Sequence, residues 1–187
     1  HQPLQWAAAQ TYLGSALEEQ GTRMGGEQGA QSLAQAIEAY RQGLLVYSRE
    51  HLPEPWAMVQ FHLGETFRHL GTHAASDQGK QLLVQAIDAY RQALLVYTRE
   101  QHPQQWAATQ YNLGIALQAQ RERTDGEQEN PLLAQAIVDA SQLAMLVFTP
   151  DYSIGLWAVA QLNRANALLD LERYEQAAES LSQLLAK

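Results

Sequence analysis

The chain has 187 residues, a formal net charge of −8 and no cysteine. An acidic chain is a poor candidate for non-specific binding to nucleic acid or to anionic membranes, because both need a basic surface. The lack of cysteine excludes disulfides and thiolate metal sites. No apolar run approaches the roughly 20 residues that cross a bilayer, and the start lacks the regions of a signal peptide. We therefore expect a cytoplasmic protein and, because the first residue is His1 rather than methionine, a piece of a longer one.

A recurring tryptophan motif divides the chain into four units. Tryptophan occurs at Trp6, Trp56, Trp106 and Trp157, with spacings of 50, 50 and 51 residues. The first three begin the pattern Trp-Ala-x-x-Gln-x-x-Leu-Gly, whereas the fourth unit has Arg-Ala in place of Leu-Gly. A fixed period of this size indicates a repeat array, in which each unit buries its apolar face against its neighbours. We therefore expect the tryptophans to be packing residues rather than a ligand cage.

Each unit is predicted to contain two helices, because its apolar residues follow two stripes with helical spacing. In the first unit these stripes are Trp6, Gln10, Leu13 and Leu17, followed by Leu33, Ile37, Tyr40, Leu44 and Tyr47. The first stripe predicts a helix near 3–20 and the second a helix near 30–50. The polar, glycine-containing stretches 21–30, 71–80 and 121–130 are interpreted as loops.

Gly14 lies in the interior of the first predicted helix, where glycine costs about 1 kcal/mol relative to alanine. Its recurrence at Gly64 and Gly114 predicts that a second helix approaches closely at this position.

The third unit contains one extra residue. Ile137 follows Ile87 by 50 residues, as do the Gln-Ala residues before it, whereas Phe148 follows Tyr97 by 51. We therefore place the insertion inside the helix, between Ile137 and Phe148. A helix usually absorbs such a residue as a π-bulge or a kink.

These motifs resemble the tetratricopeptide repeat, in which a Leu-Gly pair precedes an aromatic residue, an alanine and a second aromatic. The matching residues are Leu13, Gly14, Leu17, Ala36 and Tyr40, and then Leu63, Gly64, Phe67, Ala86 and Tyr90. The period is longer than the usual one, as in the long repeats common in bacteria and the extended repeats of kinesin light chains. The resemblance implies an all-α superhelix, a tetratricopeptide-like solenoid of four helix–turn–helix repeats with about eight helices. We interpret residues 1–187 as a single domain with repeats near 1–50, 51–100, 101–151 and 152–187.

The resemblance also implies a concave face, lined by the first helix of each repeat, that binds a peptide or a partner helix. Positions that change identity between units are free to serve a partner, and their spacing of 3, 4 and 7 places them along one helix face. The residues predicted to bind the partner are Tyr12, Phe61, His62, Glu65, Arg68, Tyr111, Asn112, Asn163 and Asn166. The aromatic residues offer apolar contact, and the asparagines can both donate to and accept from a peptide main chain. His62 and Arg68 suit a carboxylate, and Glu65 suits a basic group.

No metal, cofactor or catalytic site is predicted. His62, His69 and His73 could share a helix face, but Gly71 is expected to end that helix and no carboxylate motif accompanies them. The glycine-containing stretches lack the Lys-Ser/Thr of a phosphate-binding loop, and no nucleophile context supports an enzyme. The Lys and Arg residues with which some tetratricopeptide repeats grip a C-terminal carboxylate are also missing.

The last predicted helix carries Leu181, Leu184 and Leu185 without a polar capping helix after it. Terminal repeats need a polar outer face, so further repeats or a second copy of the chain would cover these leucines. The sequence thus predicts a protein-interaction module. Two alternatives stay open: a structural scaffold that forms homo-oligomers through the C-terminal helix, and a ligand-sensing module of a larger regulatory protein.

Overall fold

The computed structural model describes residues 2–123 and 131–186, and the regular structure within these ranges is entirely helical. The helices found there are α1 (Gln2–Met24), α2 (Gly26–Leu44), α3 (Pro53–His73), α4 (Ser76–Ala93), α5 (Pro103–Glu122), α6 (Pro131–Ala144), α7 (Pro150–Asp170) and α8 (Tyr174–Leu185). The all-α class and the expected helix number are confirmed. Of the helices in this described part, not one is both long enough and apolar enough to span a membrane.

The helices pack as consecutive hairpins, each made of an A helix (α1, α3, α5, α7) and a B helix (α2, α4, α6, α8). The chain divides into two compact units, His1–Val96 and Tyr97–Lys187, each with two hairpins. Inside the first unit α2 also packs on α3, and α1 reaches α3; inside the second, α6 packs on α7, and α5 reaches α7. Each unit therefore brings its two A helices side by side.

Proline begins three of the A helices, with Pro53, Pro103 and Pro150 in the first turn of α3, α5 and α7. Proline suits this position because its φ angle is already helical and the missing N–H would have no partner there. The B helices end earlier than predicted, since α2 stops at Leu44 rather than near residue 50. Tyr47 nevertheless lies buried just beyond the end of α2.

The predicted loops at 21–30 and 71–80 are wrong. Helix α1 continues to Met24 and α2 begins at Gly26, while α3 continues to His73 and α4 begins at Ser76. A Cβ atom on Gly29 would lie 2.5 Å from the Gly21 carbonyl oxygen. These glycines therefore mark the close approach of two helices rather than a loop, and Gly25, with a φ of 61°, makes the turn. Most of the third predicted loop, residues 124–130, lies outside the described residues.

The close approach predicted at Gly14 and Gly64 is confirmed, and it involves a tyrosine ring in both hairpins. A Cβ atom on Gly14 would lie 2.6 Å from Cε1 of Tyr40, and one on Gly64 would lie 2.6 Å from Cε1 of Tyr90. Both tyrosines have no exposed surface. The ring thus occupies the volume that any other residue would fill with its side chain, which explains the glycine in a helix interior.

The extra residue of the third repeat does not lie inside α6, contrary to the prediction. Helix α6 is uninterrupted from Pro131 to Ala144. Its buried face follows that of α4 at an offset of 51 throughout: Leu83, Ala86, Ile87, Ala89, Tyr90, Ala93 and Tyr97 correspond to Ala134, Ile137, Val138, Ala140, Ser141, Ala144 and Phe148. The insertion therefore precedes Ala134. Burial of the apolar face, rather than the local match at Ile137, sets the register of this helix.

As a result, Ser141 stands where the first two repeats have tyrosine. The nearest atom to a Cβ atom on Gly114 would be the Ser141 Oγ atom, at 3.4 Å, which is an ordinary contact distance. The third hairpin therefore lacks the ring that fills the first two.

The four tryptophans become more buried along the chain. Trp6 is 41% exposed, Trp56 and Trp106 are half-buried, and Trp157 is only 7% exposed. Trp106 packs against the core cluster that contains Ala107, Ala144 and Phe148. The environments of Trp106 and Trp157 agree with the packing role that the repeat predicts.

Substitution of Gly64 by alanine is predicted to destabilise the protein. The new Cβ would overlap the buried Tyr90 ring, and overpacking of this kind costs about 1–3 kcal/mol, which exceeds the gain of about 1 kcal/mol in helix propensity. Gly114→Ala is the matched control, because its Cβ makes only an ordinary contact and the propensity gain remains. Urea unfolding monitored by circular dichroism measures both, and equal effects of the two substitutions would refute the ring contact.

Candidate functional site

The small residue that recurs on each A helix differs in burial from the nine residues predicted to bind a partner. The recurring Gly14, Gly64, Gly114 and Ala165 are all buried. The nine predicted binding residues all keep exposed surface: Tyr12 is 75% exposed, and Phe61, His62, Glu65, Arg68, Tyr111, Asn112, Asn163 and Asn166 are half-buried. We call the surface that these variable positions form within each unit the A-helix face.

In the first unit, His62 and Glu65 of α3 meet Glu18 of α1. The His62 Nδ1 atom lies 3.5 Å from the Glu18 Oε2 atom and 3.4 Å from the Glu65 Oε2 atom. Contact between α1 and α3 creates this arrangement, which we call the acid–histidine cluster. Sequence reasoning selected His62 and Glu65 as separate contacts for a partner, and it did not select Glu18. The sequence signal that could have indicated Glu18 is its place among the positions that change identity between repeats.

The imidazole ring of His62 contacts two aromatic rings. It stacks on Tyr40 of α2 with a centroid distance of 5.6 Å and an interplanar angle of 7°. Phe61 contacts it edge-on, at 5.6 Å and 73°. The Tyr40 hydroxyl donates a hydrogen bond of 2.7 Å to the Glu18 Oε2 atom. The tyrosine that fills the space above Gly14 therefore also orients two members of the cluster.

The two carboxylates control the charge of His62. Burial lowers the pKa of His62, but the neighbouring Glu18 and Glu65 outweigh this effect and raise the pKa to about 9. The imidazole is therefore protonated at neutral pH. Burial and the Glu18 carboxylate also raise the pKa of Tyr40, so its hydroxyl remains a hydrogen-bond donor.

Arg68 occupies in the second repeat the position that Glu18 has in the first. Its Nη2 atom lies 3.2 Å from the His69 Nε2 atom, and burial together with the guanidinium charge lowers the pKa of His69. His69 is therefore neutral and can accept from Arg68. The guanidinium also faces the buried hydroxyl of Tyr90, whose pKa burial raises. A reversal of charge at one repeat position thus gives adjacent A helices an acidic and a basic side chain beside equivalent tyrosines.

The predicted end of α3 at Gly71 is wrong, because α3 continues to His73. The side chains of His62, His69 and His73 still do not form a cluster. Within residues 2–123 and 131–186, the one group of three potential metal-ligand side chains is Glu18, His62 and Glu65. The sequence analysis weighed His62 together with His69 and His73 and predicted no metal site, whereas in the structure His62 lies beside Glu18 and Glu65.

In the second unit the A-helix face has a different character. Tyr111 contacts Phe148 edge-on at 6.0 Å and packs against the adjacent core cluster, so part of its role is structural. Asn112 of α5 and Asn163 and Asn166 of α7 are half-buried, and among the described residues their side chains make no hydrogen bond. An ion pair between Arg121 and Asp170 joins the same two helices.

Comparison with models of known protein families gave no match to the chain, and a search of curated proteins found no relative. The resemblance to the tetratricopeptide repeat therefore stays a prediction that rests on the Leu-Gly, alanine and tyrosine positions described above.

The charge on His62 predicts a pH-dependent stability. Because its pKa of about 9 in the folded state lies above the ordinary 6.5, the pairing contributes fully below pH 6.5 and is lost as the pH rises through about 9. Between about pH 6 and pH 10, the native chain should lose about 2 kcal/mol more unfolding free energy than the His62→Gln variant. Urea unfolding at several pH values, in the presence of a chelator, measures the difference. Parallel pH profiles would contradict the pairing with Glu18 and Glu65.

Proposed function

We propose that the chain is a protein-interaction module that binds an extended peptide or a partner helix on the A-helix face. One observation carries this proposal. The small residue that recurs at the centre of each A helix is buried, whereas the nine residues predicted to bind a partner keep exposed surface on neighbouring A helices. Packing requires the same residues in each repeat, so a surface whose residues differ from repeat to repeat is available for recognition. In the tetratricopeptide family that the chain resembles, the A helices carry the binding surface.

The asparagines of the second unit favour contact with a peptide main chain. Asn112, Asn163 and Asn166 lie on α5 and α7, which reach each other. Each amide offers two donor hydrogens and an acceptor oxygen, which matches the alternating N–H and C=O groups of an extended peptide. Because these side chains are half-buried, a ligand that pairs with them replaces solvent at sites of restricted hydration.

The first unit supplies side chains of mixed character. Tyr12 is 75% exposed on α1, and Phe61, Glu65 and Arg68 are half-buried on α3. Phe61 also packs on Tyr90, with a centroid distance of 5.9 Å, so its exposed edge is held at a fixed position. An aromatic residue, a cation and an anion on one face suit a peptide with both apolar and charged side chains.

Removal of two asparagines is the sharpest test of this function. A peptide selected from a random library for binding to the full chain should bind the Asn112→Ala/Asn163→Ala variant more than about tenfold more weakly, since each lost hydrogen bond costs about 1 kcal/mol. Fluorescence polarisation measures the affinities. The matched control is Gln142→Ala/Gln176→Ala, which removes two exposed amides from the B helices and should leave binding unchanged. If the two variants bind equally well, or if no library peptide binds, the proposal fails.

A second candidate function is self-association through α8. This helix buries Ala177 and Ser180, whereas Leu185 is 88% exposed and Tyr174 is 62% exposed. Apolar side chains with this exposure can be covered by a second copy, which would make the chain a scaffold that assembles through its ends.

Self-association predicts a molecular mass that falls on dilution. Light scattering across a dilution series should show dimers at high concentration for the native chain and monomers for Leu185→Glu, because a buried carboxylate without a partner is costly. Gln176→Glu, at another exposed position of the same helix, adds an equal charge as a control. A native chain that is monomeric at every concentration would exclude this function.

A further inference from the structure

The acid–histidine cluster combines three potential metal ligands from two helices. The ligand atoms of Glu18, His62 and Glu65 all lie within 4.8 Å of one another. Zinc binds nitrogen and carboxylate oxygen at about 2.0–2.1 Å, so neighbouring ligand atoms of a tetrahedral site are about 3.4 Å apart. The separations between the His62 Nδ1 atom and the two carboxylate oxygens are 3.4 and 3.5 Å. The two separations that involve the imidazole therefore match the spacing that a small divalent cation needs, and the two carboxylate oxygens lie within 4.8 Å of each other.

The burial of the His62 nitrogen gives a further indication. The Nδ1 atom is buried, and one oxygen of each carboxylate lies within 3.5 Å of it. Both carboxylates therefore lie beside the same ring nitrogen, as the ligands of a shared cation would.

The surroundings of the cluster fix its ligands and leave it open to solvent. Tyr40 donates to the Glu18 carboxylate and stacks on His62, and such outer contacts orient metal ligands in known sites. The exposed fractions of the side chains are 13% for Glu18, 29% for His62 and 26% for Glu65. An ion can thus enter from solvent, and water can complete its coordination.

We propose that Glu18, His62 and Glu65 form a binding site for one divalent transition-metal ion, with Zn²⁺ as the representative ion. One imidazole and two carboxylates are ligands that zinc accepts, whereas Mg²⁺ and Ca²⁺ prefer sites made of oxygen alone. Binding of the ion displaces the proton of the His62 Nδ1 atom to solvent, as metal binding to histidine requires, and the two carboxylate charges then balance the charge of the ion. The bound ion links α1 to α3. This proposal goes beyond peptide binding and does not depend on it.

The second unit provides an internal comparison. The repeat register places Gln118, Asn163 and Asn166 at the positions that correspond to Glu18, His62 and Glu65. These amides carry no charge and no imidazole, so the corresponding position lacks the ligands that zinc prefers. We therefore expect one ion per chain, held in the first unit.

Calorimetric titration of the full chain, prepared without a histidine tag, with ZnCl₂ near neutral pH tests the site. The native chain should bind one Zn²⁺ ion. The variants Glu18→Gln, His62→Gln and Glu65→Gln should each bind it at least about tenfold more weakly, as expected for the loss of a ligand. The matched controls are His69→Gln, which removes the neighbouring histidine of α3, and Glu19→Gln, which removes an exposed acid of α1. Both should bind as the native chain does.

Two results would overturn the proposal. One is a native chain that binds no zinc, which would mean that the cluster is only an ion pair between protonated His62 and the two carboxylates. The other is equal weakening by His62→Gln and His69→Gln, which would mean diffuse binding. Imidazole NMR signals of the native chain give the same answer if a variant fails to fold, because less than one equivalent of Zn²⁺ should shift the His62 signal and leave that of His69 in place. Asn112→Ala/Asn163→Ala should keep its zinc affinity, which separates this site from peptide binding.

Discussion

The structure depends on a tyrosine ring that fills the space left by a glycine. Tyr40 packs on Gly14 and Tyr90 packs on Gly64, at distances that no side chain on the glycine would permit. The contact fixes the B helix against the A helix in the first two hairpins, and its burial of a large ring compensates for glycine in a helix interior. Packing of this kind tolerates little change at either partner.

The contact between tyrosine and glycine also sets the positions of the charged side chains around the tyrosine. The ring of Tyr40 crosses the A helix, so its hydroxyl reaches Glu18 and its face supports His62. Tyr90 repeats this arrangement one hairpin later, but its hydroxyl faces Arg68. The recurring contact between glycine and tyrosine is thus surrounded by different side chains in the two hairpins. The exchange of glutamate for arginine at one repeat position makes the surroundings of the tyrosine hydroxyl basic rather than acidic.

Periodicity made much of the fold predictable. The helical spacing of the stripes and the recurrence of Gly14 identified the hairpins, because each repeat packs its helices in a similar way. Three-dimensional contact decided the rest. Gly21 and Gly29 were interpreted as loop residues, since sequence does not distinguish a glycine that turns the chain from one that allows two helices to touch. Glu18 was missed because His62 and Glu65, beside which it lies in the structure, are more than 40 positions away in the sequence.

The register of α6 has a consequence for motion. With Ser141 in place of a tyrosine, the hairpin α5–α6 lacks a large buried ring at its centre, and the Ser141 hydroxyl is buried without a hydrogen-bond partner among the described residues. Local opening costs least where few apolar contacts must separate. We therefore expect backbone amides to be exposed transiently more often in this hairpin than in α3–α4, where Tyr90 packs on Gly64. The exchange of a tyrosine for a serine at one repeat position thus predicts a lower local stability for α5–α6 than for the two hairpins of the first unit.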